Sequence, residues 1–273
     1  MRFWKYQGIG NDFVLLEDDG SAPKEEAFVR QVCDRRFGVG ADGILYVSDA
    51  ENADARMRIL NADGSEAEMC GNGIRCVAKH LYDTGAVPKE EMTVDTLAGL
   101  MRISLSVEGG KARAVTVNMG APILDCESIP MRCGGKFIDG VIEVDGRKLR
   151  GTAVSMGNPH LITFEKLSKE EKNVLGPKLE GHPAFPKRTN VEFVTVEGMR
   201  LKVRVFERGV GWTLACGTGA CATVVAAALN GLVPFNEDIE VALPGGVLSI
   251  SVDDLLSAVM MTGPAELVFE GTI

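Results

Sequence analysis

The sequence predicts an α+β fold of two pseudo-symmetric domains, each a mostly antiparallel sheet wrapped around a central helix. Three observations predict it. Two cysteines about half the chain apart share one local frame, Cys70-Gly71-Asn72-Gly73 and Cys216-Gly217-Thr218-Gly219. Residues around the two cysteines also match in order. Each half then repeats one pattern, in which short alternating segments lead to a single helix-like run after the cysteine.

The matches run through both halves. Asn11 follows Gly10, and Asn158 follows Gly157. Arg58 and Arg204 each lie twelve residues before their cysteine, and Asn61 and Glu207 each lie nine before. Gly85-Ala86-Val87-Pro88 and Gly231-Leu232-Val233-Pro234 begin fifteen residues after it. An ordered set of this kind marks an internal duplication. Its period, about half the chain, is too long for a solenoid and predicts two similar domains. We expect residues 1–118 plus 263–273 to form the domain that carries Cys70. Residues 119–262 form the domain that carries Cys216, and the active site lies in the cleft between them. Thr262-Gly263-Pro264 echoes Met119-Gly120-Ala121-Pro122, so the tail is expected to return to the first domain.

Taken in order, residues 13–17, 44–48 and 57–60 alternate and are rich in β-branched and aromatic side chains, which is the strand pattern. Their counterparts are 161–164, 191–196 and 201–206. A helix follows each cysteine, over 74–84 and 220–230. Gly85 and Gly231 sit where a C-cap glycine belongs, with Pro three residues on. The second helix is apolar all round, so it must be buried on most sides. Further strands are expected at 92–95, 101–107, 114–117, 239–243 and 248–252.

The bulk numbers exclude several functions. A net charge of −9 disfavours nucleic acid and anionic membrane as partners, since both select positive surface. The longest apolar run, near 220–229, is half of the roughly 20 residues a membrane span needs. The first residues carry no apolar signal core, so a cytoplasmic protein is expected. Seven cysteines in that compartment should be mostly reduced, and no Cys-x-x-Cys spacing suggests zinc or redox chemistry. Cys33, Cys76, Cys126, Cys133 and Cys221 lack the glycine frame and read as buried, inert thiols.

Cys70 and Cys216 read differently. Each stands at a predicted helix start, where oriented N–H groups favour an anion and lower a thiol's pKa. The neighbouring glycines let backbone N–H groups approach a ligand. One thiol on each side of a carbon would suit chemistry at both its faces. A helix terminus supplies only about 0.3–2 kcal/mol. An enzyme must supply on the order of 8–23 kcal/mol. Several preorganised donors on one carboxylate, at roughly 2.7–4 kcal/mol each, reach that order; a single helix end does not.

Together these residues carry a resemblance. Gly10-Asn11-Asp12-Phe13, Asn61-Ala62-Asp63-Gly64-Ser65, Cys70 to Cys76, Gly157-Asn158-Pro159-His160, Thr189-Asn190-Val191-Glu192-Phe193, Glu207-Arg208-Gly209 and Cys216 to Gly219 closely resemble the diaminopimelate epimerase family, along the whole chain and in family order. The resemblance implies interconversion of LL- and meso-diaminopimelate for lysine and peptidoglycan precursor synthesis, by a homodimer that needs no pyridoxal phosphate, other cofactor or metal. It implies Cys216 as proton acceptor and Cys70 as proton donor. It implies backbone amides of Gly71, Asn72, Gly217 and Thr218 on the reacting carboxylate. Asn11, Asn61, Asn158, Asn190, Glu207 and Arg208 become ligand contacts, His160 and Glu207 modulate the thiol pKa values, and Phe269 is a dimer contact. The sequence departs from the family at Gly43, where a Gln ligand is common, so any contact there is by backbone or water.

Other readings stay open at this level. Taken singly, the four asparagines are turn formers and Glu207–Arg208 an exposed ion pair. His160 reads equally as a structural histidine. A racemase of the same architecture acting on proline, hydroxyproline or histidine is the nearest rival. A non-enzymatic binding protein, or an isomerase, that keeps the fold without paired thiols is a rival of another class. Glu207 with Arg208 favours a substrate with a second amino-acid end.

Overall fold

The computed structural model describes residues 1–273, in two compact units. Met1–Asn118 with Thr262–Ile273 form the first, and Met119–Met261 the second.

In the first unit, β1 (Arg2–Gly8) and β2 (Asn11–Glu17) form a hairpin. The helix α1 (Glu26–Cys33) crosses to β3 (Gly43–Ser48), which runs parallel to β2. Next come β4 (Ala55–Asn61), the short β5 (Glu66–Ala67) and the central helix α2 (Gly71–Thr84). The strand β6 (Glu91–Thr96) pairs parallel with β4, and β7 (Gly99–Glu108) and β8 (Lys111–Asn118) complete a meander. The C-terminal strand β18 (Glu266–Thr272) lies antiparallel to β1, so the tail belongs to this unit. β1, β2, β3, β4, β7 and β8 all pack on α2.

The second unit repeats this order. A hairpin of β9 (Gly140–Val144) and β10 (Arg147–Ser155) precedes β11 (Pro159–Thr163). The helix α3 (Lys169–Glu180) crosses to β12 (Asn190–Glu197), which is parallel to β11. Then come β13 (Arg200–Glu207), β14 (Gly211–Trp212), the central helix α4 (Gly217–Leu229), β15 (Ile239–Leu243) and β16 (Gly246–Val252), and β17 (Val259–Gly263) carries the chain out of this unit at Thr262. β13 pairs parallel with β15, as β4 does with β6. The duplication read from the sequence is therefore a duplication of topology and register: Phe13 faces Gly43 in one unit, and His160 faces Asn190 in the other.

Both central helices start earlier than the apolar pattern indicates, because their glycines form the first turn and the cysteines are the N-caps. Burial there outweighs the helix cost of about 1 kcal/mol for each glycine. α2 stops where Gly85 takes a φ of 81°, and the Val87 amide closes on the Leu81 carbonyl at 2.9 Å. Leu232 closes on Ala227 in the same way after Gly231. Along α4, Ala220 to Ala227 are all fully buried, which explains why no polar face was needed.

α1 and α3 were not expected from the sequence. α1 is marked only by Val29, Val32 and Cys33 on one face. The start of α3 is a capping box in which the Glu171 amide bonds Ser168 Oγ and Glu171 Oε2 accepts from the Ser168 amide. No helix is long and apolar enough to cross a membrane.

One cysteine expectation is corrected. Cys126 and Cys133 are joined in a disulfide, with Cα atoms 5.7 Å apart. The loop folds back through Met131 N–H to Cys126 O and Cys126 N–H to Gly135 O. A seven-residue spacing carries no signal of that turn. Cys33, Cys76 and Cys221 lie outside the disulfide and are buried, and burial pushes the first two thiols up to about 11 and about 12.

Candidate active site

In the first unit, β2 begins at Asn11 beside the N-cap of α2. Cys70 has extended backbone there, and its Sγ lies 3.6 Å from Asn11 Oδ1. Asn72 Nδ2 donates to the same oxygen at 3.2 Å, while the buried Asn72 Oδ1 has no partner. Asn11 is held from behind, where its Nδ2 donates to Asp42 Oδ2 at 2.7 Å. Asp42 in turn accepts from Arg35, which also pairs with Asp12. Asn61 ends β4 and bonds Ser65 Oγ at 3.0 Å in the turn that follows. Gly43 has no room for a side chain: a Cβ would meet the Leu60 carbonyl oxygen at 2.6 Å.

In the second unit, Cys216 caps α4 and is buried. Its Sγ accepts the Gly219 amide at 3.3 Å and lies 3.5 Å from Thr218 Oγ1. The two N-caps share one geometry, with φ of −139° and −134°. In any helix the first N–H groups lack intrahelical partners, so Gly71, Asn72, Gly217 and Thr218 present donors at these two helix starts.

In the same unit, Asn190 is buried, donates to Pro159 O at 2.9 Å and accepts the Arg208 amide at 2.9 Å. Arg208 itself is exposed, with Nη1 3.3 Å from Lys187 O. Glu207 Oε1 accepts from Thr213 Oγ1 at 2.5 Å. Asn158 Oδ1 lies 3.0 Å from His160 Nε2, and His160 Nδ1 lies 2.7 Å from Glu192 Oε1. His160 and Glu192 are both fully buried.

The expected direction of the Cys216 thiol is reversed. Burial, Glu207 and Glu192 together push its pKa well above the usual thiol range, although Thr218 and the Gly219 amide favour the thiolate. A helix start gives only part of a charge, and here it faces a desolvated sulfur with two carboxylates nearby. Both carboxylates lie on strands whose partners in the first unit are different.

Sequence reasoning did not single out Asp42, Thr213, Glu180 or Glu192. Glu180 is buried and accepts the Gly209 amide at 2.9 Å, so it holds the turn after Arg208. Glu192 had a signal that could have found it: a carboxylate between Val191 and Phe193 in a buried strand needs a partner.

The sequence model for diaminopimelate epimerase matches residues 3–124 and 152–268. The chain belongs to the diaminopimelate epimerase family. Among relatives bearing that name, the protein of Moorella thermoacetica is 50% identical over 279 residues, covering 99% of this chain and 98% of its own. That of Desulfitobacterium hafniense is 48% identical over 280 residues, covering 100% of this chain and 98% of its own. Among solved structures, a hydroxyproline epimerase from Agrobacterium vitis superposes with a TM-score of 0.73 at 16% identity, over 100% of this chain and 90% of that one. A probable proline racemase from Agrobacterium radiobacter K84 gives 0.71 at 15%, over 100% and 92%. At such identity the two structures share the fold with this member of the diaminopimelate epimerase family, and nothing finer is carried over.

Proposed function

We propose that this chain is a cofactor-independent epimerase that interconverts LL- and meso-2,6-diaminopimelate in lysine and peptidoglycan precursor synthesis. The observation that carries the reading is the matched pair of thiols, each the N-cap of an equivalent helix in one of two duplicated units. In this reading the helix-start amides bind the reacting carboxylate. Cys216 removes the α-proton of the LL isomer, and Cys70 returns a proton to the opposite face. In the reverse direction the roles exchange. Arg208 takes the distal carboxylate and Glu207 an ammonium.

The raised Cys216 pKa fits this scheme once substrate is counted. An ammonium placed against Glu207 cancels part of the charge that holds the thiol protonated. The thiolate then forms with substrate bound and is suppressed without it. The enzyme acts in the cytoplasm as a homodimer, and the exposed Phe269 on β18 supplies a contact between the two copies.

The test is epimerisation of LL-diaminopimelate in metal-free, pyridoxal-free buffer, with deuterium entering the α-carbon from heavy water. Cys70→Ala and Cys216→Ala should each lose activity by more than about a thousandfold. Near-normal turnover by either variant, or racemisation of proline with none of LL-diaminopimelate, overturns the reading.

A further inference from the structure

The duplication gives each thiol a floor, and the two floors differ. At the third residue of α2, a Cβ on Gly73 would lie 3.0 Å from Leu45 Cδ2 and 3.6 Å from Cys70 Cβ. At the third residue of α4, a Cβ on Gly219 would lie 2.7 Å from Glu192 Oε1 and 3.2 Å from Cys216 Sγ. Leu45 and Glu192 hold the same register position, two residues beyond Gly43 on β3 and beyond Asn190 on β12. Phe13 and His160 hold the matching positions on β2 and β11. All four side chains are buried. Under Cys70 the floor is Leu45, with Phe13 at the register position of His160, and neither can hold a proton; under Cys216 it is Glu192 bonded to His160, and these can.

The proton count of that couple is tied to Asn158. With Asn158 Oδ1 facing His160 Nε2, that nitrogen must carry a hydrogen, because an amide oxygen only accepts. The 2.7 Å contact between His160 Nδ1 and Glu192 Oε1 needs a second hydrogen. The couple then carries two protons and no net charge. If one is lost, the remaining proton stays on Nδ1, between the ring and the carboxylate. Nε2 becomes an acceptor, and the Asn158 carboxamide must turn to offer its NH₂. The couple is then an anion beneath α4. The second carboxylate oxygen, Glu192 Oε2, is buried with no hydrogen-bond partner, so nothing else in the floor takes up that charge. The other titratable group acting on Cys216 is Glu207, on β13.

We propose that Glu192 is a positioning residue that sets Cys216 apart from Cys70, by holding a proton with His160 under the first turn of α4 and thereby fixing which end of the Asn158 carboxamide faces outward. The proposal rests on the reading of Cys216 and Asn158 as site residues. Burial raises the Glu192 carboxyl, which agrees with a couple that keeps its second proton.

The experiment is peptide-resolved alkylation of both thiols by iodoacetamide across pH, read by mass spectrometry in one sample. Glu192→Gln keeps the hydrogen bond to His160 and removes the carboxyl that can ionise beneath α4. With no anion able to form beneath α4 as pH rises, it should shift the Cys216 profile to lower pH and raise its rate on the alkaline limb by about threefold or more, because thiolate fraction sets the rate. The Cys70 profile should not move. Combining Glu192→Leu with His160→Phe copies the floor of the first unit into the second, and apolar replacement of a buried pair is often tolerated. This variant should show the same Cys216 shift, and it carries the test if Glu192→Gln does not fold. An unmoved Cys216 profile, or equal shifts at both thiols, overturns the proposal. Cys216→Ala separates the two ideas: if it still epimerises, the site reading has failed, whatever the Glu192 variants do.

Discussion

His80 is held neutral by its place on α2. Its ring lies 4.6 Å from that of Trp4 and 5.8 Å from that of Tyr6, and it is fully buried. Glu17 Oε1, 3.0 Å from Nε2, favours the charged form, but burial outweighs it and the pKa falls below the usual histidine value. The sign follows from linkage. The unfolded chain binds the proton first, so the stability His80 contributes is present above about pH 6.5 and is lost as pH falls through its folded value. Unfolding free energy should therefore decline on acidification below pH 6.5. His80→Gln should flatten that decline by up to one proton, about 1.4 kcal/mol per pH unit, in urea titrations. An unchanged slope would mean that His80 charges in the folded state. Single residues of this kind were the least legible in the sequence. Cys70 and Cys216 stood out because a glycine frame marked each, whereas His80 carries no frame, and Asp42, Asn72 and Glu192, which bond Asn11 and His160, lie far from them in sequence.

At the scale of elements, the first turns of α2 and α4 are two copies of one motif with different tolerance for a methyl group. Gly73→Ala meets the end of a leucine, which can shift by a few tenths of an ångström. The better helix propensity of alanine, about 1 kcal/mol, should offset the crowding. Gly219→Ala meets a fixed carboxylate at 2.7 Å and the Cys216 sulfur at 3.2 Å. It should cost about 1–3 kcal/mol in urea unfolding and most of the activity. Equal costs at the two sites would contradict the difference between the floors. Most of the fold at this scale was readable, because burial enforces pattern: the apolar run of α4, the alternation in β4 and β13 and the burial of β3 and the start of β12 on both faces are direct consequences of where those segments pack. The helix starts were misjudged, since Gly71 and Gly217 are helical only because the sheets enclose them. α3 escaped because its exposed Val174 breaks the apolar stripe, although Ser168 and Glu171 announce its cap. The Cys126–Cys133 loop is irregular backbone and left no periodic trace.

For the whole molecule, the duplication makes one chain serve as two similar units, and β18 lies antiparallel on β1 in the first as β9 lies on β10 in the second. β18 pairs with β1 through a register shift at Lys5 and Tyr6, and Phe269 packs edge-on to Phe3 at 5.9 Å between ring centroids. Even so, Leu267, Val268 and Phe269 stay about half exposed, at 46%, 56% and 46%. Three consecutive apolar side chains on a terminal strand form the kind of patch that a second copy covers. Burying the exposed half of each would contribute roughly 0.8–1.5 kcal/mol, though a stable interface also needs about 800 Å² from each partner. Phe269→Asp places a charge at the end of that row while leaving the backbone pairing with β1 intact. Light scattering should then give half the mass of the parent protein at micromolar concentration, with the far-ultraviolet circular dichroism of the folded chain retained. If the parent protein is already a monomer, or the variant keeps the dimer mass, then β18 is not the surface that joins two copies, and its apolar row must serve the first unit alone.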